Sequence, residues 1–212
     1  MSDGASYFET RFVHDERRRF IWQHIASYLA RWMPADGALL DLGAGYADLV
    51  NSANCATRVA FDLRDDLAQY TDSGVTAEVG DVTDLSRFAD GTFDAVFASN
   101  LLEHLDWSQL EQCIDHVRRV LKPGGHFIAV QPNFRLDPKR YFDDFTHRTI
   151  FTDESLPDFL ASRGLRPAHK EARFLPMTMK SRLSFGHRLV PLYLRLPYRP
   201  LAGQMLVVAQ RD

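Results

Sequence analysis

Apolar positions along the chain change period once, near residue 38. Between residues 14 and 32, Ile21, Ile25, Tyr28, Leu29 and Trp32 recur at helical spacing, and the cluster from Pro34 to Gly37 closes the segment. Beyond it, short apolar runs are separated by turn residues. "ALLDLGAG" (38–45), "TRVAFDL" (57–63), "VTAEVGD" (75–81), "FDAVFAS" (93–99) and "GGHFIAVQP" (124–132) read as five strands. A helix is predicted over about 107–121, with Leu110, Cys113, Ile114, Val117 and Leu121 as its inner stripe. A second runs over 155–163 and stops at Gly164. Ser155 with Asp158 predicts its capped start, with Thr152 as the rival cap. Residues 168–175 and 204–210 add two more strands, and the Pro-, Arg- and Leu-rich stretch between them reads as an inserted helical cover.

Strands alternating with helices imply right-handed crossovers. The expected fold is α/β: a Rossmann-like, doubly wound, mostly parallel seven-stranded sheet with helices on both faces and a helical C-terminal cover. In such sheets ligands bind outside the carboxyl ends of the strands. One domain is expected over 1–212, with a helical lid (1–36), a core (37–132) and a segment 133–212 that contains an insertion at 176–203.

Composition narrows the classes. The chain has 212 residues, 45% hydrophobic and 25% charged, as expected for a globular domain. Its net charge of -3 gives no general case for nucleic-acid binding. Cys55 and Cys113 are far apart, without metal-type spacing, and read as small buried hydrophobes in a cytoplasmic protein. There is no signal-like leader and no run long enough to span a membrane. After Glu171 no acidic residue appears until Asp212, while Arg173, Lys180, Arg182, Arg188, Arg195, Arg199 and Arg211 do. That strip reads as a solvated basic face, or as a contact for an anionic substrate or a peripheral membrane contact.

The polar residues at the strand ends carry the chemistry. Asp41, Gly43 and Gly45 follow the first strand, where paired glycines let a ligand approach the backbone. A dinucleotide fingerprint places a further glycine where this chain has Asp48, an unsuitable neighbour for a pyrophosphate. Asp62 closes the second strand and Asp81 the third. "LKPGGHF" (121–127) turns into the fifth. Together these residues resemble the class I S-adenosylmethionine-dependent methyltransferases over about residues 38–132. The resemblance implies that Asp41, Gly43 and Gly45 hold the methionine portion of S-adenosylmethionine. Asp62 with Leu63 then matches the ribose position, Asp81 with Val82 the adenine contact, and Asn100 with Leu101 the wall beside the sulfonium. S-adenosylhomocysteine is the implied product. Ala47 stands where the family motif has its third glycine. DNA-base amino-methyltransferases carry an Asn/Asp-Pro-Pro-aromatic motif where this chain reads "SNLLEHL", so no nucleic-acid partner is expected.

On the acceptor side, a hydroxyl needs a positioned base, whereas an amine need only be neutral. His147 is the candidate base, Asp144 its partner, and Asp143 a substrate or metal group. The alternative is that His147 only ties down a loop. Glu103 and His104 serve either as cofactor wall or as acceptor contacts. Tyr7, Tyr141 and Arg148 complete the candidate substrate set. A magnesium ion on Asp143, Asp144 and Glu103 is a further alternative. Segments including "YFETRF", "QPNFR" and "YFDDFTHRTIFTDESL" resemble a bacterial subgroup associated with glycan assembly that includes saccharide O-methyltransferases. This implies a small-molecule or oligosaccharide acceptor. Rival readings are an N- or carboxyl-methyltransferase, a non-catalytic cofactor-binding regulator and a nicotinamide dehydrogenase. The oligomeric state is left open.

Overall fold

The computed structural model describes residues 17–176 and 186–212. Tyr7, the start of the predicted lid, Lys180 and Arg182 lie outside the described residues.

Seven strands form one sheet in the order β3-β2-β1-β4-β5-β7-β6. They are β1 (Ala38–Leu42), β2 (Thr57–Asp62), β3 (Thr76–Val79), β4 (Phe93–Ser99), β5 (Leu121–Pro132), β6 (Leu165–Pro176) and β7 (Ala202–Arg211). β1 to β5 pair in parallel, and β7 runs antiparallel between β5 and β6. The strand order reverses between β1 and β4, so the sheet's ligand crevice opens at their carboxyl ends.

Two apolar layers sandwich the sheet. α3 (Trp107–Val120) and α4 (Ser155–Ser162) cover one face, and α1 (Arg17–Leu29), α2 (Asp48–Ser52) and α5 (Val190–Arg195) contribute to the other. α3 starts on a capping box in which Asp106 accepts from Gln109 N and the Gln109 side chain accepts from Asp106 N. It buries Leu110, Cys113, Ile114 and Val117; Leu121, expected on the same stripe, opens β5 instead. In α1, Ile21, Ile25 and Leu29 are buried, and Trp32 sits in a separate 3-10 turn. Both cysteines are buried and free.

Three local expectations change. α4 is capped by Thr152, not by a Ser155–Asp158 box. Thr152 Oγ1 accepts from Ser155 N at 3.1 Å, and Ser155 Oγ accepts from Thr152 N at 2.9 Å. Pro157 falls in the first turn of α4, which begins at Ser155, so its lost N–H costs little. β6 and β7 are longer than their apolar patterns suggest, because they pair with each other from Leu165↔Arg211 to Pro176↔Ala202.

The basic strip does not form one solvated face either. Arg199 is buried against Glu171, Arg173 stacks over Tyr198, and Arg211 donates to the carbonyls of Arg119 and Leu121. Arg188 and Arg195 remain exposed. No helix among the described residues is long and apolar enough to cross a membrane.

Candidate active site

The turn after β1 is shaped by backbone conformation. Gly43 and Gly45 have φ of 70° and 56°, and Ala47 shares the left-handed region at 55°. A Cβ added at Gly43 would sit 3.0 Å from Leu101 Cδ1, so the glycine also admits the wall residue expected there. Asp41 is buried at the foot of this turn and accepts from Val50 N at 3.2 Å. Burial, with the nearby Asp62 and Asp48 charges adding to it, pushes its carboxyl up to about 8. Asp62 Oδ2 accepts from Gly45 N at 2.8 Å, and its Oδ1 accepts from Arg64 N at 3.1 Å. The β2 carboxylate thus braces the β1 turn. Leu63 beside it is 69% exposed, an apolar surface standing at the ligand edge.

Asp81 makes a local turn, accepting from Thr83 N and Oγ1 through Oδ1, while Val82 is buried in the core. Asn100 adopts φ of 48°, a conformation uncommon outside glycine, and its side chain is held by Ser99 and Gln204. Asp48 pairs with Arg18 of α1 at 2.7 Å, fastening the N-terminal helix over the turn.

These features fit S-adenosylmethionine. The left-handed turn admits a ligand against the backbone, the buried Asp41 has no cationic partner among the described residues and could take an ammonium, and Asp62 and Leu63 offer a carboxylate beside an apolar shelf.

The acceptor side is stitched together from two distant segments. Leu102–His104 forms a 3-10 turn just after β4. The chain at Arg148 and Thr149 docks on it, both backbone N–H groups donating to Glu103 O at 2.7 and 3.1 Å. Thr149 Oγ1 adds a bond to Leu105 O at 2.6 Å. This docking brings Glu103, His104 and His147 together. The imidazoles meet edge to face with centroids 5.0 Å apart, and His147 Nε2 lies 4.0 Å from Glu103 Oε1. Glu103 is 1% exposed and neither carboxylate oxygen has a hydrogen-bond partner among the described residues; burial pushes its carboxyl up to about 8. Burial also lowers both histidines below the usual imidazole range, which favours their neutral forms.

Thr146 was missed by the sequence reading. Its hydroxyl donates to Asp144 Oδ1 at 2.5 Å and lies 2.9 Å from His104 Nδ1. Burial opposes ionisation of Asp144, but its bonds to Thr146 outweigh this and hold the carboxyl below its ordinary value. The hydroxyl has one proton and gives it to the carboxylate. His104 must therefore donate from Nδ1, which leaves its Nε2 lone pair free of a proton. The Asx-type spacing of Asp144 and Thr146 was the available signal. Asp144 thus orients His104 through Thr146, whereas the sequence reading paired it with His147.

Other expected members are placed elsewhere. Asp143 and Arg148 are exposed. Tyr141 is 1% exposed, with its hydroxyl on Thr149 O at 2.6 Å and its ring 4.6 Å from the His147 ring. It therefore supports His147 and cannot serve as an open sugar-stacking platform. Gln131 was also missed; it interrupts the apolar end of β5, buried with neither side-chain polar atom partnered.

Residues 34–129 match the family model of the methyltransferase domain. An S-adenosylmethionine-dependent methyltransferase from Archaeoglobus fulgidus is similar in fold (TM-score 0.70, 18% identity), covering 99% of this chain and 100% of that one. A possible histamine N-methyltransferase from Thermotoga maritima matches at TM-score 0.68 and 16% identity, over 98% and 94% of the two chains. Geranyl diphosphate C-methyltransferase from Streptomyces coelicolor matches at 0.63 and 17%, over 89% and 77%. Among the curated proteins, none matches the chain. Named acceptors in these methyltransferases range from an amine to a carbon atom, so the shared fold leaves the acceptor to the chain's own residues.

The state of Asp41 gives a test of the cofactor side. Below about pH 8 the empty site holds a proton on Asp41, and an ammonium group placed beside it favours the carboxylate. Binding of S-adenosylmethionine at pH 7 is therefore expected to release up to one proton. Calorimetry in two buffers of different ionisation enthalpy would show it as a buffer-dependent heat, lost in Asp41→Asn. Equal heats for the wild-type protein would refute the assignment.

Proposed function

We propose that the protein is an S-adenosylmethionine-dependent methyltransferase that transfers the methyl group to a hydroxyl of a saccharide or similar small polyol. The observation that carries the reading is the clustering of Glu103 with the imidazoles of His104 and His147 just past β4. An amine acceptor would not require lone pairs there, but a hydroxyl must give up its proton as it attacks. S-adenosylmethionine supplies the methyl group: the C–S bond breaks as the C–O bond forms, the electron pair staying on sulfur. The chain's own part is alignment, exclusion of water and activation of the oxygen. Asp41 and the glycine turn would hold the amino-acid end, Asp62 and Leu63 the ribose, and Asp81 the adenine amine. Asn100 and Leu101 would wall the sulfonium side. Exposed Phe142, Phe145 and Arg148 border the cluster and would meet the acceptor.

Labelled methyl transfer into a panel of mono- and oligosaccharides, amines and carboxylates tests the reading. Incorporation into a sugar hydroxyl is expected; incorporation into amines alone would overturn it. Asp62→Ala should weaken cofactor affinity by roughly tenfold or more, the loss of a charge-assisted hydrogen-bonding group. Unchanged affinity by calorimetry would remove the ribose role.

A further inference from the structure

We propose that Glu103, His104 and His147 bind a divalent transition-metal ion, such as Zn2+, Mn2+ or Co2+, at the acceptor side of the domain. Each residue presents one ligand atom, and the three atoms lie within 4.8 Å of one another. In a tetrahedral site with bonds near 2.1 Å, ligand atoms stand about 3.4 Å apart, so the side chains need only close in around the ion.

Three observations support the site. First, Glu103 is a carboxylic acid side chain that is 1% exposed and, among the described residues, has no hydrogen-bond partner on either oxygen. An unpartnered group buried this deeply is costly, and a cation between it and the imidazoles would repay that cost. Second, the Asp144–Thr146–His104 chain is the outer support that metal-binding histidines usually have: a ring N–H held by an oxygen, here backed by a carboxylate. It leaves His104 Nε2 as the ligand atom. Third, the docking of Arg148 and Thr149 on Glu103 O fixes the two segments in register without using any of the three candidate ligand groups.

Two imidazoles with one carboxylate favour a transition ion over magnesium, which prefers an all-oxygen shell and retained waters. This differs from the oxygen-only set of Asp143, Asp144 and Glu103. Asp143 is exposed, and Asp144 is engaged with Thr146.

The role of the ion rests on the hydroxyl-transfer reading above; its binding does not. With the lone pairs of the imidazoles on the metal, the acceptor oxygen would take an open coordination position. Its proton would pass to solvent water as the ion lowers the hydroxyl's pKa.

The test measures metal and turnover separately. Chelator-stripped protein is titrated with Zn2+, Mn2+, Co2+ and Mg2+, and bound metal is counted after equilibrium dialysis. Co2+ absorption reports the ligand field. One transition ion per chain is expected, with Mg2+ failing to compete, and with affinity reduced at least tenfold in Glu103→Gln and in His147→Gln. Thermal unfolding checks that both variants fold; if Glu103→Gln does not, His147→Gln carries the test. No stoichiometric binding, or binding unchanged in folded variants, would overturn the site as an adventitious ion only. Full methyl transfer by metal-free protein would overturn the ion's role while leaving hydroxyl transfer standing. Stoichiometric metal with transfer only to amines would support the site and defeat the hydroxyl reading instead.

Discussion

His147→Ala is expected to lower turnover by roughly 10²–10⁴-fold while leaving affinity for S-adenosylmethionine unchanged. The magnitude is that of a group acting on the acceptor proton, whether by taking it or by holding the ion that promotes its loss. The separation follows from topology. The proposed cofactor residues Asp41, Gly43, Gly45 and Asp62 lie at the ends of β1 and β2, while His147 arrives from the segment after β5 and lies 4.0 Å from Glu103. Removing its ring opens space against Tyr141 but leaves contacts on the proposed cofactor side, such as Asp62 to Gly45 N, in place. Single-turnover rates alongside calorimetric affinity would measure the two effects. A fall in cofactor affinity equal to the fall in turnover would mean that His147 only supports the fold of the crevice. Undiminished turnover would remove it from the chemistry altogether.

The readable parts of this sequence are those in which neighbours along the chain do the work. The runs 38–45, 57–63 and 93–99 predict strands because each is apolar and bounded by turn residues, and β1, β2 and β4 lie within them, β1 stopping at Leu42 where the glycine turn begins. The glycine turn is legible for the same reason, since φ above zero is a local demand. What was not legible depends on contacts across the chain. "NLLEHL" reads as the start of a helix, and nothing local tells that Arg148 and Thr149 will dock on Glu103 O and bring His147 alongside. Tyr141 was offered as a substrate contact on residue type alone; its burial comes from packing on His147 and Phe134. The extra length of β6 comes from pairing with β7, which takes in residues such as Leu165 and Arg166 ahead of the run that carries the strand signal. The basic strip misled because charge counts do not reveal whether a guanidinium has a buried partner.

That partner makes Arg199→Met the largest expected loss of stability, about 3–5 kcal/mol, or roughly 6–20 °C in Tm. Arg199 is buried, with Nη2 donating to Leu194 O at 2.8 Å and to Tyr28 Oη at 3.1 Å, and Nη1 to the Glu171 carboxylate. Glu171 also accepts from Tyr28 at 2.6 Å and lies 2.8 Å from His169 Nε2. The network joins α1, β6 and the chain just after α5, so three distant segments share one charge pair. Burial opposes ionisation of Glu171, but the bonds from Tyr28, His169 and Arg199 outweigh it and hold its carboxyl below the ordinary range. Its contribution is therefore present above the unfolded glutamate pKa and is lost as pH falls through the lower folded value. Methionine fills much of the arginine's volume but leaves the carboxylate buried without its main countercharge, and this accounts for most of the cost. Adding Glu171→Gln removes the stranded charge while keeping an acceptor for Tyr28, so the double variant should recover a substantial part of the loss. Chemical unfolding of the single and double variants closes the cycle. Additive losses would mean that the pair is not energetically coupled, and a single-variant loss below about 1 kcal/mol would place it with ordinary surface ion pairs.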